Sequence, residues 1–195
     1  LPLGAYVSTD DVLTAHVWRT LCAMRCEQLG IPVDSDEMTT CHRPVNFRKR
    51  VEVPLAEGYV GNAISQVLTD MSVRELLSSR PSAVAHRLRS DLLSQHSPTI
   101  VKERARWLAH VMRGGGKAKM VFDAKALTFI VSSWNFAWED AAFDAAPLAF
   151  DHGAIVPIVA VLVPRPKADG LFVYASGPQA SVEQFARTMG QLGAR

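Results

Sequence analysis

Between Arg48 and Ile64 the chain reads Arg-Lys-Arg-Val-Glu-Val-Pro-Leu-Ala-Glu-Gly-Tyr-Val-Gly-Asn-Ala-Ile, and this stretch constrains the fold more than any other. Its alternating Val-Glu-Val is extended, Pro54 forbids continuation of a paired strand, and Gly58 permits a sharp reversal. Gly61-Asn62 then opens a new apolar run. The spacing predicts two extended segments, residues 45–54 and 59–68, joined by a tight turn. A chain with such a hairpin next to long helical segments belongs to the α/β class.

Ser8 or Thr9 can cap the first of those helices, with Asp10 and Asp11 in its electropositive first turn. Leu13, Val17, Leu21 and Met24 recur at helical spacing, and Gly30-Ile31-Pro32 ends the segment. A polar loop is expected over 33–41. Residues 72–113 read as three helices, broken before Pro81 and Pro98, with Ser97 a cap for the third. The apolar side of that third helix is expected to hold Ile100, Val101, Ala105, Leu108 and Met112. Gly114-Gly115-Gly116-Lys117 is a loop, because Ala118 stands where a phosphate-binding loop needs Ser or Thr. Short apolar runs at 127–132, 155–163 and 171–175 predict strands, and Ala168-Asp169-Gly170 predicts a hairpin between the last two. A final helix over 181–192 places Val182, Phe185, Met189 and Leu192 on one face.

Composition narrows the functional classes. With 195 residues, 48% hydrophobic and 21% charged, the chain has enough apolar material for one sizeable core. A net charge of +2 gives no basis for binding nucleic acid or an anionic membrane. The longest apolar run contains Pro157 and is too short to span a bilayer. Three cysteines, an odd number, suit a reducing compartment, so a cytoplasmic location is expected. Cys22, Cys26 and Cys41-His42 fit no common zinc spacing, and no metal is expected. The start at Leu1-Pro2-Leu3-Gly4, without Met or a signal-type core, reads as part of a longer product.

Three segments carry a family resemblance: Ser8-Thr9-Asp10-Asp11-Val12-Leu13-Thr14-Ala15-His16-Val17-Trp18-Arg19, the Glu57-Gly58-Tyr59 to Gly61-Asn62 turn, and Val131-Ser132-Ser133-Trp134. In this order they resemble the C-terminal half of the plant-type BAHD acyltransferases, which transfer acyl groups from acyl-CoA to alcohols or amines. The resemblance implies a chloramphenicol-acetyltransferase-like two-layer lobe with a mixed β-sheet covered by helices. It also implies an N-terminal lobe of the same protein as partner, carrying the catalytic His-x-x-x-Asp. The six histidines here are followed four positions on by Thr20, Asn46, Ser90, Ile100, Gly114 and Val156, so none forms that motif and no catalytic base is assigned.

By the same resemblance, Ser132, Ser133 and Trp134 line the channel for the acyl-CoA co-substrate, or alternatively they are a strand end whose tryptophan is plain core. His42-Arg43 and Arg48-Lys49-Arg50, with Arg48 and Arg50 foremost, are candidates for its phosphates, or alternatively for a solvated strand edge. Phe136, Trp138 and Phe143 suit an apolar substrate pocket, or plain packing. Phe136 also stands where many relatives use an arginine for acidic acceptors. The family's Asp-Phe-Gly-Trp-Gly is met here by Ala142-Phe143-Asp144-Ala145-Ala146. Its leading aspartate, which braces the arginine segment, is lost, and Asp140 or Asp144 is expected to substitute. Asn62 belongs to the structural turn. The eroded motif leaves an alternative open: a non-catalytic, degenerate acyltransferase-like lobe serving binding or assembly.

Overall fold

The computed structural model describes residues 6–49, 51, 55–56, 58–114, 127–134, 159–165 and 170–193. Ten elements follow in chain order: α1 (Thr9–Leu29), β1 (Met38–Asn46), β2 (Ile64–Ser72), α2 (Val73–Ser78), α3 (Pro81–Gln95), α4 (Pro98–Arg113), β3 (Leu127–Ser133), β4 (Val159–Pro164), β5 (Leu171–Ala175) and α5 (Gln179–Gly193). The strands form one mixed sheet in the order β2-β1-β3-β4-β5. β1, β3 and β4 run parallel, while β2 and β5 close the two sides antiparallel. This is the mixed α/β sheet expected from the sequence.

α1 begins as its sequence dictates. The Ser8 hydroxyl accepts from the Asp11 N–H, and the Asp11 carboxylate accepts from the Ser8 N–H at 2.9 Å, a reciprocal cap. Gly30 ends the helix in the left-handed region at φ 65°, which costs glycine little. Between the caps α1 lies against α2, α3, α5 and β3. Ala15, Val17, Trp18, Cys22 and Cys26 are completely buried, so the burial exceeds the single stripe read from the sequence. The core runs from these residues to Cys41, Met71, Phe129, Val131, Ala160 and Leu162 on the sheet and to Leu76, Leu88 and Phe185 on the other helices. Each large side chain buried there contributes roughly 1.5–3 kcal/mol.

The first two strands lie elsewhere than expected. The polar loop over 33–41 gives way to β1 at Met38, and β1 ends at Asn46 instead of continuing to 54. The reason is that its inward residues are Thr39, Cys41 and Arg43, a polar set that conceals the strand period. Thr39 satisfies itself in the core by accepting from Trp18 Nε1 at 3.1 Å and donating to the Leu127 carbonyl at 2.8 Å. β2 starts at Ile64 because the residues before it are held in a turn: Gly58 has φ 80°, and Asn62 Oδ1 accepts from the Ile64 N–H at 3.1 Å.

β2 is an edge strand, and its outward backbone is occupied. The Gln95 amide pairs with Leu68, accepting from its N–H at 3.0 Å and donating to its carbonyl at 2.6 Å. Arg104 of α4 donates to the Gln66 carbonyl at 2.6 Å. Side chains thus block the edge against pairing with another chain. The three helices over 72–113 break at the prolines as expected. On α4, however, Val101 is buried while Trp107, Leu108 and Met112 are exposed. On α5, Phe185 is buried and Met189 packs on the core, but Val182 is exposed; the Leu192 side chain lies outside what is described. β4 and β5 pair antiparallel, with Arg165 N–H bonding the Gly170 carbonyl at 3.1 Å and Gly170 at φ 104°; Ala168 and Asp169 of the expected turn lie outside the described residues. No helix among the described residues is long and apolar enough to cross a membrane.

Candidate functional site

Because β1, β3 and β4 are parallel, their carboxyl ends share one edge of the sheet, the usual ligand crevice of mixed α/β sheets. The antiparallel β2 begins at that edge, with Ile64 opposite Asn46, and so does β5, with Leu171 opposite Pro164. The three segments singled out in the sequence therefore converge there. They are the α1 N-terminus, the Tyr59–Asn62 turn, and the Ser132-Ser133-Trp134 end of β3.

Alternation along β3 divides the serines. Leu127, Phe129 and Val131 face the helices, and Ser133 continues that row. Its hydroxyl donates to Asp10 Oδ1 in the first turn of α1. Ser132 falls on the opposite face with Trp134, whose indole N–H donates to Ser132 Oγ at 3.2 Å. The Trp134 backbone N–H bonds the Leu162 carbonyl at 2.8 Å, so the strand end is pinned to β4. Ser133 and Trp134 are both exposed at this edge.

Behind Ser133 lies a chain of charges, and Arg43, expected as a candidate for the coenzyme phosphates, is buried within it. Asp10 Oδ2 accepts from Arg43 Nη2 at 2.9 Å, and the same nitrogen bonds Asp11 Oδ1 at 2.9 Å. Arg43 also donates to the Leu88 carbonyl, and Arg89 Nε donates to Asp11 Oδ2 at 2.8 Å. Asp11 is fully buried and Arg43 nearly so. Burial by itself raises the Asp11 carboxyl, but bonds from the Ser8 hydroxyl and N–H, with Arg43 and Arg89, outweigh it and hold the group below its ordinary value. Two carboxylates meet two guanidiniums, with Asp11 and Arg43 buried and Asp10 and Arg89 reaching the surface. The overlooked signal was an arginine alternating in phase with Thr39 and Cys41.

Arg48 sits at this edge, but its guanidinium bonds the carbonyls of Tyr59 at 3.2 Å and Gly61 at 2.7 Å and stacks on the Tyr59 ring. It ties the end of β1 to the turn before β2. Asn62 shapes that same turn. Arg50, Phe136, Trp138, Asp140, Phe143 and Asp144 lie outside the described residues.

Elsewhere the chemistry is structural. Cys22, Cys26 and Cys41 are buried free thiols, and burial pushes those of Cys22 and Cys41 up to about 12. No group of three or more His, Cys, Asp or Glu side chains among the described residues could hold a metal. An open groove of about 690 Å³ runs beside the middle of α1, lined by His16, Arg19, Thr20, Arg74, Gln184 and Thr188. Arg19 is committed there to the carbonyls of Leu76, Leu77 and Ser79, closing the end of α2.

Known proteins with this architecture can now be compared. Rosmarinate synthase of Plectranthus scutellarioides is 25% identical over 193 residues, which are 94% of this chain and 42% of that protein. Spermidine coumaroyl-CoA acyltransferase of Arabidopsis thaliana is 25% identical over 132 residues, 67% of this chain and 27% of that protein. The crystal structure of Fusarium sporotrichioides TRI101 complexed with coenzyme A and T-2 superposes with a TM-score of 0.72 at 26% identity, covering 93% of this chain and 42% of that one. The chain therefore spans less than half the length of these relatives. Its sheet and helices are those of the chloramphenicol-acetyltransferase-like fold. Residues 4–192 match the Transferase family, and the chain belongs to it as a divergent BAHD member.

Proposed function

We propose that residues 1–195 form the C-terminal lobe of an acyltransferase that moves an acyl group from acyl-CoA to an alcohol or amine. The observation that carries this reading is the convergence, at one sheet edge, of the α1 N-terminus, the Tyr59–Asn62 turn and the β3 end, in a chain matching the family over residues 4–192. Relatives whose names state acyl-CoA donors or amine acceptors, and a solved neighbour complexed with coenzyme A, support the substrate class.

In this reading the residues here bind and orient, and the proton transfer belongs to the partner lobe. A histidine of its His-x-x-x-Asp removes the acceptor proton, the alkoxide or amine attacks the thioester carbonyl, and coenzyme A departs as a thiol. Ser132, Ser133 and Trp134 end β3 at the donor channel, Ser133 on the α1 side and Ser132 with Trp134 on the other. Arg50 meets the coenzyme phosphates, and Arg48 contributes through the turn it holds. Phe136, Trp138 and Phe143 line the acceptor or acyl pocket, with Asp140 or Asp144 bracing the loops. No metal takes part. Reduced thiols suit a cytoplasmic setting.

The test is a comparison of the purified 195-residue chain with a longer product that includes the upstream lobe, following thiol release from acetyl-CoA and hydroxycinnamoyl-CoA. The longer product is expected to turn over and the 195-residue chain to be inert. Turnover by the chain alone overturns this division of labour. An inert longer product that still binds coenzyme A favours the non-catalytic binding lobe, for which the eroded segment Ala142-Phe143-Asp144-Ala145-Ala146 speaks.

A further inference from the structure

The buried charges have a consequence at the channel wall. Ser133 carries one hydroxyl proton, and that proton is directed to Asp10 Oδ1. Asp10 is itself fixed: its other oxygen is held by Arg43 at 2.9 Å, and Arg43 is anchored in turn by Asp11 and the Leu88 carbonyl. Arg89 completes the chain from α3. A carboxylate has no proton to give, so the direction of the Ser133–Asp10 bond cannot reverse. Ser133 Oγ, at an exposed position, consequently offers lone pairs alone to anything beside it.

We infer that Asp10 is a positioning residue for the acyl donor, setting Ser133 as an obligate acceptor for an amide N–H of the coenzyme's arm. The inference rests on the reading of this edge as the donor channel. Its content is the polarity of one contact: a ligand with an N–H opposite Ser133 gains a hydrogen bond, and one presenting a carbonyl or ether oxygen there meets two facing acceptors. An amide-bearing thiol such as coenzyme A fits; a simple alkyl thioester without amides gains nothing.

Asparagine at position 10 tests this directly. With its carbonyl kept on Arg43, its NH₂ faces Ser133 and turns that hydroxyl outward as a donor. The experiment measures binding of coenzyme A to the longer product that includes the upstream lobe, by ligand-observed saturation-transfer NMR at millimolar ligand. The proteins compared are wild type, Asp10→Asn, Ser133→Ala and the double variant, each first shown to be folded by its melting transition. One mispaired hydrogen bond is worth about tenfold in affinity, so Asp10→Asn and Ser133→Ala are each expected to weaken binding about tenfold. The double variant is expected to match Ser133→Ala, because Asp10 acts through Ser133. A merely structural role for Asp10 would make the two losses multiply, and that result overturns the inference. So does unchanged affinity in Asp10→Asn while wild type binds. If wild type itself shows no binding, the donor-channel reading fails and the inference falls with it.

Discussion

The Arg43 guanidinium meets the Asp11 carboxylate at 2.9 Å in the core, joining the inward face of β1 to the first turn of α1. Both groups are cut off from water, so the pair is held by mutual satisfaction and neither partner tolerates the loss of the other. Replacing Asp11 with alanine takes from Arg89 its carboxylate and leaves Arg43 with Asp10 and the Leu88 carbonyl only. A loss of about 3–5 kcal/mol in unfolding free energy is expected from urea titration. A change under about 1 kcal/mol would mean that water reaches the guanidiniums.

Acid should act in two stages. Burial lowers His16, helped by neighbouring Arg19, and burial lowers His42 against the opposing pull of Asp70. The unfolded chain then binds protons that the folded one refuses, so their contribution is full above about 6.5 and declines as pH falls below it. Asp11 is lowered as well: its folded value lies below 3.8, so its contribution holds above that pH and is lost on further acidification. Urea midpoints measured from about pH 8 to pH 5 should fall, and the fall should flatten in a His16→Gln/His42→Gln variant. An identical slope in that variant would contradict the assignment.

Trp18 links α1 to β1 through Thr39, and Thr39 passes the bond on to the Leu127 carbonyl. Trp18→Phe keeps most of the packing but removes the indole donor. A loss of about 1–3 kcal/mol is expected in thermal or urea unfolding, and Thr39→Val in the same background should then cost less than it does in wild type.

Arg48→Ala releases two carbonyls and the Tyr59 ring. Because the turn is largely exposed, the global loss should be only about 1 kcal/mol. Amide exchange at residues 58–64 should accelerate much more than exchange in β3. Uniform acceleration across the sheet would show that the turn is an integral part of the core.

The sequence foretold the helices well because their signals are local. Ser8, Ser97 and Gly30 mark ends, and Pro81 and Pro98 mark starts, without reference to the rest of the chain. β1 was misplaced for the opposite reason. Thr39 and Arg43 are inward residues whose partners, Trp18, Leu127, Asp11 and Asp10, stand 21 to 88 residues away, and no local pattern reveals such pairing. The outward apolar side of α4 was likewise illegible: periodicity gave Leu108 and Met112 one face but could not say what that face meets. At the candidate site, Ser132-Ser133-Trp134 was visible as a motif. That its two serines point to opposite faces, one toward Asp10, required the sheet.

The proposal that this chain is the donor-binding lobe of a two-lobed acyltransferase is best tested by the translated sequence upstream of Leu1, checked by the intact mass of the native product. The account predicts a preceding lobe of comparable size containing His-x-x-x-Asp. A native product that begins near Leu1, or whose preceding lobe lacks that histidine, would contradict it.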